Sequence, residues 1–69
     1  MVDNKIEELR REKELNQEEL ASILKVSRQT ISSLENGRYN PSLILSFKIA
    51  NFFGKSIEEI FIYKEDENE

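Results

Sequence analysis

Two short helical patterns separated by three residues lie within residues 17–41, and this segment constrains the fold more than any other. In the second pattern Ser27 suits an N-cap, and Ile31 and Leu34 recur at the spacing of an inward helical stripe, so we expect a helix to begin near Arg28. Its outward face and flanks are polar and carry no carboxylate; their side chains come from Arg28, Gln29, Thr30, Ser32, Ser33 and Asn36. Guanidinium, amide, hydroxyl and methyl groups of this kind can read base edges in a DNA major groove.

The first pattern predicts a second amphipathic helix. Asn16 is a suitable N-cap, and the apolar stripe that follows consists of Leu20, Ala21, Ile23 and Leu24. Ala21 is small where a crossing helix must come close, and Val26 is apolar within the connector Lys25–Ser27. The two helices can therefore pack as a helix-turn-helix.

This segment resembles the helix-turn-helix of the Cro/C1-type (XRE) regulators of bacteria and phages, and the resemblance extends from about residue 4 to residue 63. It rests on Gln17, Ala21, Val26, Ile31, Leu34, the run Glu35–Gly37 and the run Asn40–Ser42. It implies an all-α, lambda-repressor-like domain of five helices that binds DNA, and family members of this size commonly bind as two-fold dimers. In that family the residue at position 29 contacts bases and the residue at position 17 contacts a phosphate.

The chain departs from the family pattern at two positions where a glycine is usual because the backbone turns left-handed after a helix. These positions are Glu14 and Lys25. A side chain in that conformation is strained by about 1 kcal/mol, so the departure bears on local stability more than on the fold.

The rest of the chain predicts three more helices. The first runs from Val2 to Lys13 with Asp3 or Asn4 as its cap, and the fourth runs over residues 43–53 between Ser42 and Gly54. A capping box, Ser56-x-x-Glu59, opens a short fifth helix. Residues 61–63 are β-prone and could pair with the extended N-terminus near Val2 as a short two-stranded ribbon. Residues 1–63 are thus one domain, and residues 64–69 are an acidic tail expected to be disordered.

The fourth helix is apolar nearly all round. Leu43, Phe47, Ala50 and Phe53 share one face, whereas Ile44, Leu45, Ile49 and Phe52 cover much of the other. Such a helix is central to a core or partly covered by another chain. The chain has more apolar side chains than the core of so small a domain needs, and we expect the surplus to form a homodimer interface that includes a C-terminal dimerisation segment. The residues of this interface are Ile44, Phe52, Ile60, Phe61, Ile62 and Tyr63.

The formal net charge is -4, but the charge is unevenly distributed. Residues 25–48 carry four basic side chains and one acidic side chain, whereas the segments on either side are net negative. The only positive third therefore contains the candidate reading helix. We expect the acidic remainder of the chain to point away from DNA and the cations of this third to face phosphates. These cations are Lys25, Arg28, Arg38 and Lys48.

The chain lacks the residues that several classes of function usually require. The chain has no cysteine and no histidine, which argues against disulfides, most metal sites and nucleophile–base pairs, and which fits a reducing cytoplasm. No apolar stretch approaches the roughly 20 residues of a membrane span. We expect no enzyme activity, cofactor, metal, membrane association or small-molecule ligand.

The sequence thus predicts a DNA-binding transcriptional regulator, most simply a repressor that reads a two-fold operator through the major groove. Arg28 and Gln29 would read bases, with weaker contacts from Ser27, Thr30, Ser32, Ser33 and Asn36; Gln17, Arg38 and Asn40 would contact phosphates. Glu35 would turn inward and hold either the end of its helix or an arginine such as Arg10. The alternative is a protein-interaction module on the same fold, such as an antitoxin-like or anti-regulator subunit.

Overall fold

The computed structural model describes residues 2–65, and these form five helices and one two-stranded antiparallel sheet. In chain order the elements are β1 (Val2–Asn4), α1 (Ile6–Glu12), α2 (Gln17–Leu24), α3 (Arg28–Glu35), α4 (Leu43–Phe53), α5 (Ile57–Ile60) and β2 (Phe61–Tyr63). Val2 lies opposite Tyr63 and Asn4 opposite Phe61, so the predicted terminal ribbon is confirmed. Beyond β2, Lys64 Nζ lies 2.8 Å from Asp3 Oδ2, and residues 66–69 of the predicted tail lie outside the described residues.

The first helix is shorter than the sequence pattern predicted. It begins at Ile6 instead of Val2, because residues 2–4 pair with β2 and not with the helix. Asn4 joins these elements: its Oδ1 accepts a hydrogen bond from the Ile6 backbone N–H at 3.1 Å, and its Nδ2 donates to the Leu34 carbonyl at 2.8 Å. The ribbon is thereby attached to the end of α3.

The remaining four helices begin at the predicted caps. The side chains of Asn16, Ser27, Ser42 and Ser56 each accept a hydrogen bond from the backbone N–H three residues further on. A cap of this kind is worth about 1 kcal/mol. Glu19 and Glu59 also accept from the backbone N–H of Asn16 and Ser56, respectively, both at 2.9 Å, which completes two capping boxes.

The capping box of α5 makes stability depend on pH. Hydrogen bonds from Ser56, first of all from its backbone N–H, lower the pKa of Glu59 below its usual value. The contribution is therefore present above the pKa of the unfolded chain and is lost as the pH falls through the lower pKa of the folded chain. In Glu59→Gln the amide oxygen can still accept from Ser56 but does not titrate, so the stability advantage of the wild type over this variant should shrink as the pH falls below the usual pKa of a glutamate.

Urea unfolding at several pH values measures this difference. Glu58→Gln is the matched control, because Glu58 is the neighbouring carboxylate on α5 and forms no part of the capping box. Equal pH dependence in the two variants would show that the box contributes nothing specific.

All five helices contribute side chains to the core. Its buried apolar side chains are Ile6, Leu9, Leu20, Ala21, Leu24, Ile31, Leu34, Leu45, Ile49, Ala50, Phe53 and Ile60. Five further apolar side chains are partly buried against it: Leu15, Val26, Phe52, Ile57 and Phe61. Ala21 is only 3% exposed, as expected for a small residue at a helix crossing.

The sequence left the buried face of α4 open, because a helix that is apolar nearly all round does not specify one. In the structure Leu45 and Ile49 point inward with Ala50 and Phe53, whereas Leu43 and Phe47 are exposed. One expectation about the apolar surplus was wrong. Ile60 is fully buried in the core of its own chain, so the folded protein cannot offer it to a dimer partner. Ile44, Ile62 and Tyr63 of the predicted interface are exposed, and Phe52 and Phe61 are partly covered.

The two unusual turn residues are left-handed, as the sequence predicted. The φ angles are 58° at Glu14 and 60° at Lys25, and Lys25 is the C-cap of α2. Because glycine adopts this conformation without steric cost, Lys25→Gly should leave the free energy of unfolding unchanged or raise it by up to about 1 kcal/mol. Lys48→Gly is the control, since a glycine on the exposed side of α4 should lower stability by about 1 kcal/mol. Thermal unfolding that ranks the two variants in the opposite order would contradict the assigned strain.

Candidate nucleic-acid interface

Burial of Ile31 and Leu34 fixes which side of α3 faces outward, and the cap fixes where the helix begins. Ser27 Oγ accepts from the Thr30 backbone N–H at 3.1 Å and lies 2.8 Å from Thr30 Oγ1, so the two hydroxyls are hydrogen-bonded to each other. Arg28, Gln29 and Asn36 are exposed, and Thr30, Ser32 and Ser33 are half-buried. The outward side of α3 therefore presents a guanidinium and two amides with hydroxyls between them.

The single carboxylate of α3 points away from this surface. Glu35 Oε2 accepts from Arg10 Nε at 2.8 Å and Glu35 Oε1 from Arg10 Nη2 at 3.1 Å, as the sequence predicted. The side chain of Arg10 is only 9% exposed and that of Glu35 only 4%. Arg10 Nη1 also donates to the Leu15 carbonyl at 2.7 Å. The hydrogen bond to Glu35 raises the pKa of Arg10, which keeps the buried guanidinium charged.

Gln17 belongs to the same network, which the sequence did not indicate. Its Nε2 donates to Glu35 Oε1 at 3.1 Å, so the carboxamide at the start of α2 is held in one orientation. Gln17 and Arg28 line one surface depression together with Arg10, Asn16 and Glu18. Two of the predicted DNA contacts, on different helices, are thus neighbours.

A second depression brings Ser27, Gln29, Thr30 and Ser33 together with Tyr39, which sequence reasoning missed. Tyr39 is 42% exposed. Its position in the loop after the helix, between the predicted contacts Arg38 and Asn40, could have indicated that Tyr39 lies at the same surface.

The loop after α3 begins with a left-handed glycine. Gly37 has a φ of 74°, and the Arg38 backbone N–H donates to the Ser33 carbonyl at 3.0 Å, which turns the chain away from the helix axis. Arg38 and Asn40 are exposed in this loop, outside both depressions. Within residues 2–65 the cations Lys25, Arg28, Arg38 and Lys48 form no ion pair, so their charges are available to an anionic partner.

Other kinds of site have little support in the described part of the chain. Residues 2–65 contain no group of three or more acidic side chains arranged to hold a metal ion. None of the helices in that range is long and apolar enough to cross a membrane.

A family model described as helix-turn-helix matches residues 6–60 of the chain, which includes every helix. The chain belongs to this helix-turn-helix family. The Cro/C1-type resemblance is therefore confirmed, and the protein is a DNA-binding transcriptional regulator and not an enzyme.

Two relatives and one solved structure are similar to this regulator in sequence or in fold. An uncharacterized HTH-type transcriptional regulator of Methanocaldococcus jannaschii is 58% identical over 66 residues, which cover 96% of this chain and all of that protein. The cryptic phage CTXphi transcriptional repressor RstR of Vibrio cholerae is 40% identical over 60 residues, 87% of this chain and 54% of RstR. The restriction-modification controller protein C.AhdI of Aeromonas hydrophila superposes with a TM-score of 0.70 at 33% identity, over 80% of each chain.

Proposed function

We propose that this regulator is a repressor that binds a two-fold operator as a homodimer, with α3 in the major groove of each half-site. The observation that carries the proposal is the outward face of α3, which is polar and free of carboxylates because Glu35 is bonded to Arg10. A carboxylate on that face would repel the phosphates that flank the groove. Because Glu35 is turned toward Arg10, the outward face of α3 presents hydrogen-bond donors and acceptors beside cations that form no ion pair within the described residues.

Arg28 and Gln29 are the proposed base-reading residues. Both are exposed in the first turn of α3, the part of a recognition helix that contacts base edges. An arginine can donate two hydrogen bonds to guanine, and a glutamine can bond to adenine through both groups of its amide. Thr30 offers a methyl group for thymine, and Tyr39 covers the same depression as Gln29, where its ring can pack against a sugar or a thymine methyl. Weaker contacts come from Ser27, Ser32, Ser33 and Asn36.

Phosphate contacts would set the position of α3 in the groove. Gln17 lies at the N-terminus of α2, where free backbone N–H groups already favour an anion, and its amide is oriented by Glu35. Arg38 and Asn40 lie on the loop that follows α3, so they can bind the backbone on the other side of the helix. Such contacts fix register without reading sequence.

Selection of bound sequences from a random DNA pool tests the proposal. We expect a palindromic site with half-site centres about 10 base pairs apart, the separation of two recognition helices on one face of the duplex. Binding should weaken steeply between low and moderate salt, because phosphate contacts release counterions. Failure to enrich any sequence, together with salt-insensitive binding to a protein partner, would favour the interaction module instead.

The direction of regulation is tested separately. The 40% identity to RstR supports repression. The selected operator, placed across a promoter in a reporter, should lower expression when the regulator is present. An increase in expression would identify an activator.

A further inference from the structure

Helix α4 leaves an apolar patch uncovered after the chain has folded. The α4 patch consists of Leu43 and Ile44, each 71% exposed, and Phe47, which is 52% exposed. Side chains three and four residues apart on a helix are neighbours, so the three form one surface on the side opposite Leu45 and Ile49. None of them belongs to the core.

We infer that the α4 patch is the surface through which two copies of this chain associate, an inference that rests on the proposed binding to a two-fold operator. The patch lies within the longest uncharged run of the sequence, nine residues from Tyr39 to Phe47, in a chain of which 35% is charged. Depletion of charged residues is the compositional mark of an interface core.

The competing apolar side chains are on β2, where Ile62 and Tyr63 are 38% and 68% exposed and, as consecutive residues of a strand, point to opposite faces. Ile62 lines a depression that also contains two lysines and four glutamates: Lys5, Lys55, Glu8, Glu12, Glu58 and Glu59. Two copies that met through β2 would bring these glutamates toward each other, which costs free energy unless they are paired. The three side chains of the α4 patch carry no charge, so their own contact with a second copy brings no like charges together; Lys25 and Lys48 line a groove beside the patch.

The position of the patch also fits the DNA geometry. A two-fold contact uses the same surface on both copies, and an apolar patch without charges is complementary to itself. Helix α4 begins directly after the loop that carries Arg38 and Asn40, so a symmetry axis at Leu43 and Ile44 would bring the two copies of this loop close together.

The patch continues into a shallow groove. Lys48, one helical turn after Ile44, lines that groove with the half-exposed Ile23 and the partly buried Phe52. Because three side chains form a small interface, we expect self-association in the micromolar range that operator binding strengthens.

Ile44→Glu tests the assignment, and Tyr63→Glu is its matched control, since the two side chains are almost equally exposed and lie on the competing surfaces. In sedimentation velocity the wild type and Tyr63→Glu should dimerise, whereas Ile44→Glu should remain monomeric at concentrations at least tenfold above the wild-type dissociation constant. All three should unfold at similar temperatures, because neither side chain is in the core. Loss of the dimer in Tyr63→Glu but not in Ile44→Glu, or a wild type that stays monomeric, would overturn the inference.

Two further measurements separate this inference from the proposed function. Ile44→Glu should bind a single half-site like the wild type and lose at least tenfold in affinity for the full operator. A wild type that dimerises but binds no DNA would contradict the proposed function and leave the patch assignment standing. Mixing Ile44→Glu with Ile44→Lys should restore a heterodimer, because opposite charges would then meet near the axis; failure of the mixture to associate would argue against a contact centred on Ile44.

Discussion

Arg10→Ala is expected to lower the free energy of unfolding by about 3–5 kcal/mol, a large part of the stability of a domain of this size. The Glu35 carboxylate is 4% exposed and would lose both hydrogen bonds from the guanidinium, keeping only the one from Gln17. The Leu15 carbonyl would lose its donor as well. Breaking a buried pair from one side is costly because the remaining charge stays buried without compensation. Urea unfolding at neutral pH measures the change.

Arg11→Ala is the matched control, because the neighbouring arginine forms its ion pair with Glu7 on the surface, with side chains 71% and 50% exposed. That change should cost no more than about 0.5 kcal/mol. The double variant Arg10→Met/Glu35→Leu should recover most of the loss, since it leaves no unpaired buried charge. Similar small losses for Arg10→Ala and Arg11→Ala would mean that the network contributes orientation and not stability.

The parts of this fold that the sequence predicted are those decided within a few residues. The caps at Asn16, Ser27, Ser42 and Ser56 depend on a side chain and a backbone N–H three residues away, so local sequence specifies them. The left-handed turn at Lys25 was expected from the resemblance, because the family usually has a glycine at that position. The Arg10–Glu35 pair was predictable for a different reason, since a carboxylate on a DNA-facing helix needs a partner elsewhere.

The parts that were predicted wrongly, or not predicted, depend on contacts between distant segments. Residues 2–4 fit a helical pattern, but pairing with β2, almost the whole chain away, makes them a strand. The inward face of α4 and the burial of Ile60 are set by how the helices dock, which an apolar pattern alone does not determine. The hydrogen bond from Gln17 to Glu35 and the position of Tyr39 beside Gln29 also depend on how separate segments pack, so the sequence pattern did not predict them.

Arg28→Ala and Arg38→Ala are expected to weaken DNA binding in different ways. Arg28 is exposed at the first position of α3 beside Gln17, so its loss should cost about 1–3 kcal/mol on the operator, blur preference at one base pair and change binding to random DNA little. Arg38 lies on the loop after Gly37, so its loss should weaken binding to all sequences and lower the salt slope by about one unit.

Fluorescence anisotropy titrations with the operator and with random DNA, each at several salt concentrations, measure both quantities. Lys55→Ala is the control: it also removes one cation, but Lys55 lies beside glutamates of α1 and α5, so affinity for either DNA should change little. The distinction is sharp because a base contact contributes only where the right base is present, whereas a phosphate contact contributes on every duplex. If Arg28→Ala and Arg38→Ala each weakened operator and random DNA by the same factor, α3 would not be reading sequence through Arg28, and the base-reading role would pass to Gln29 and its neighbours in the second depression.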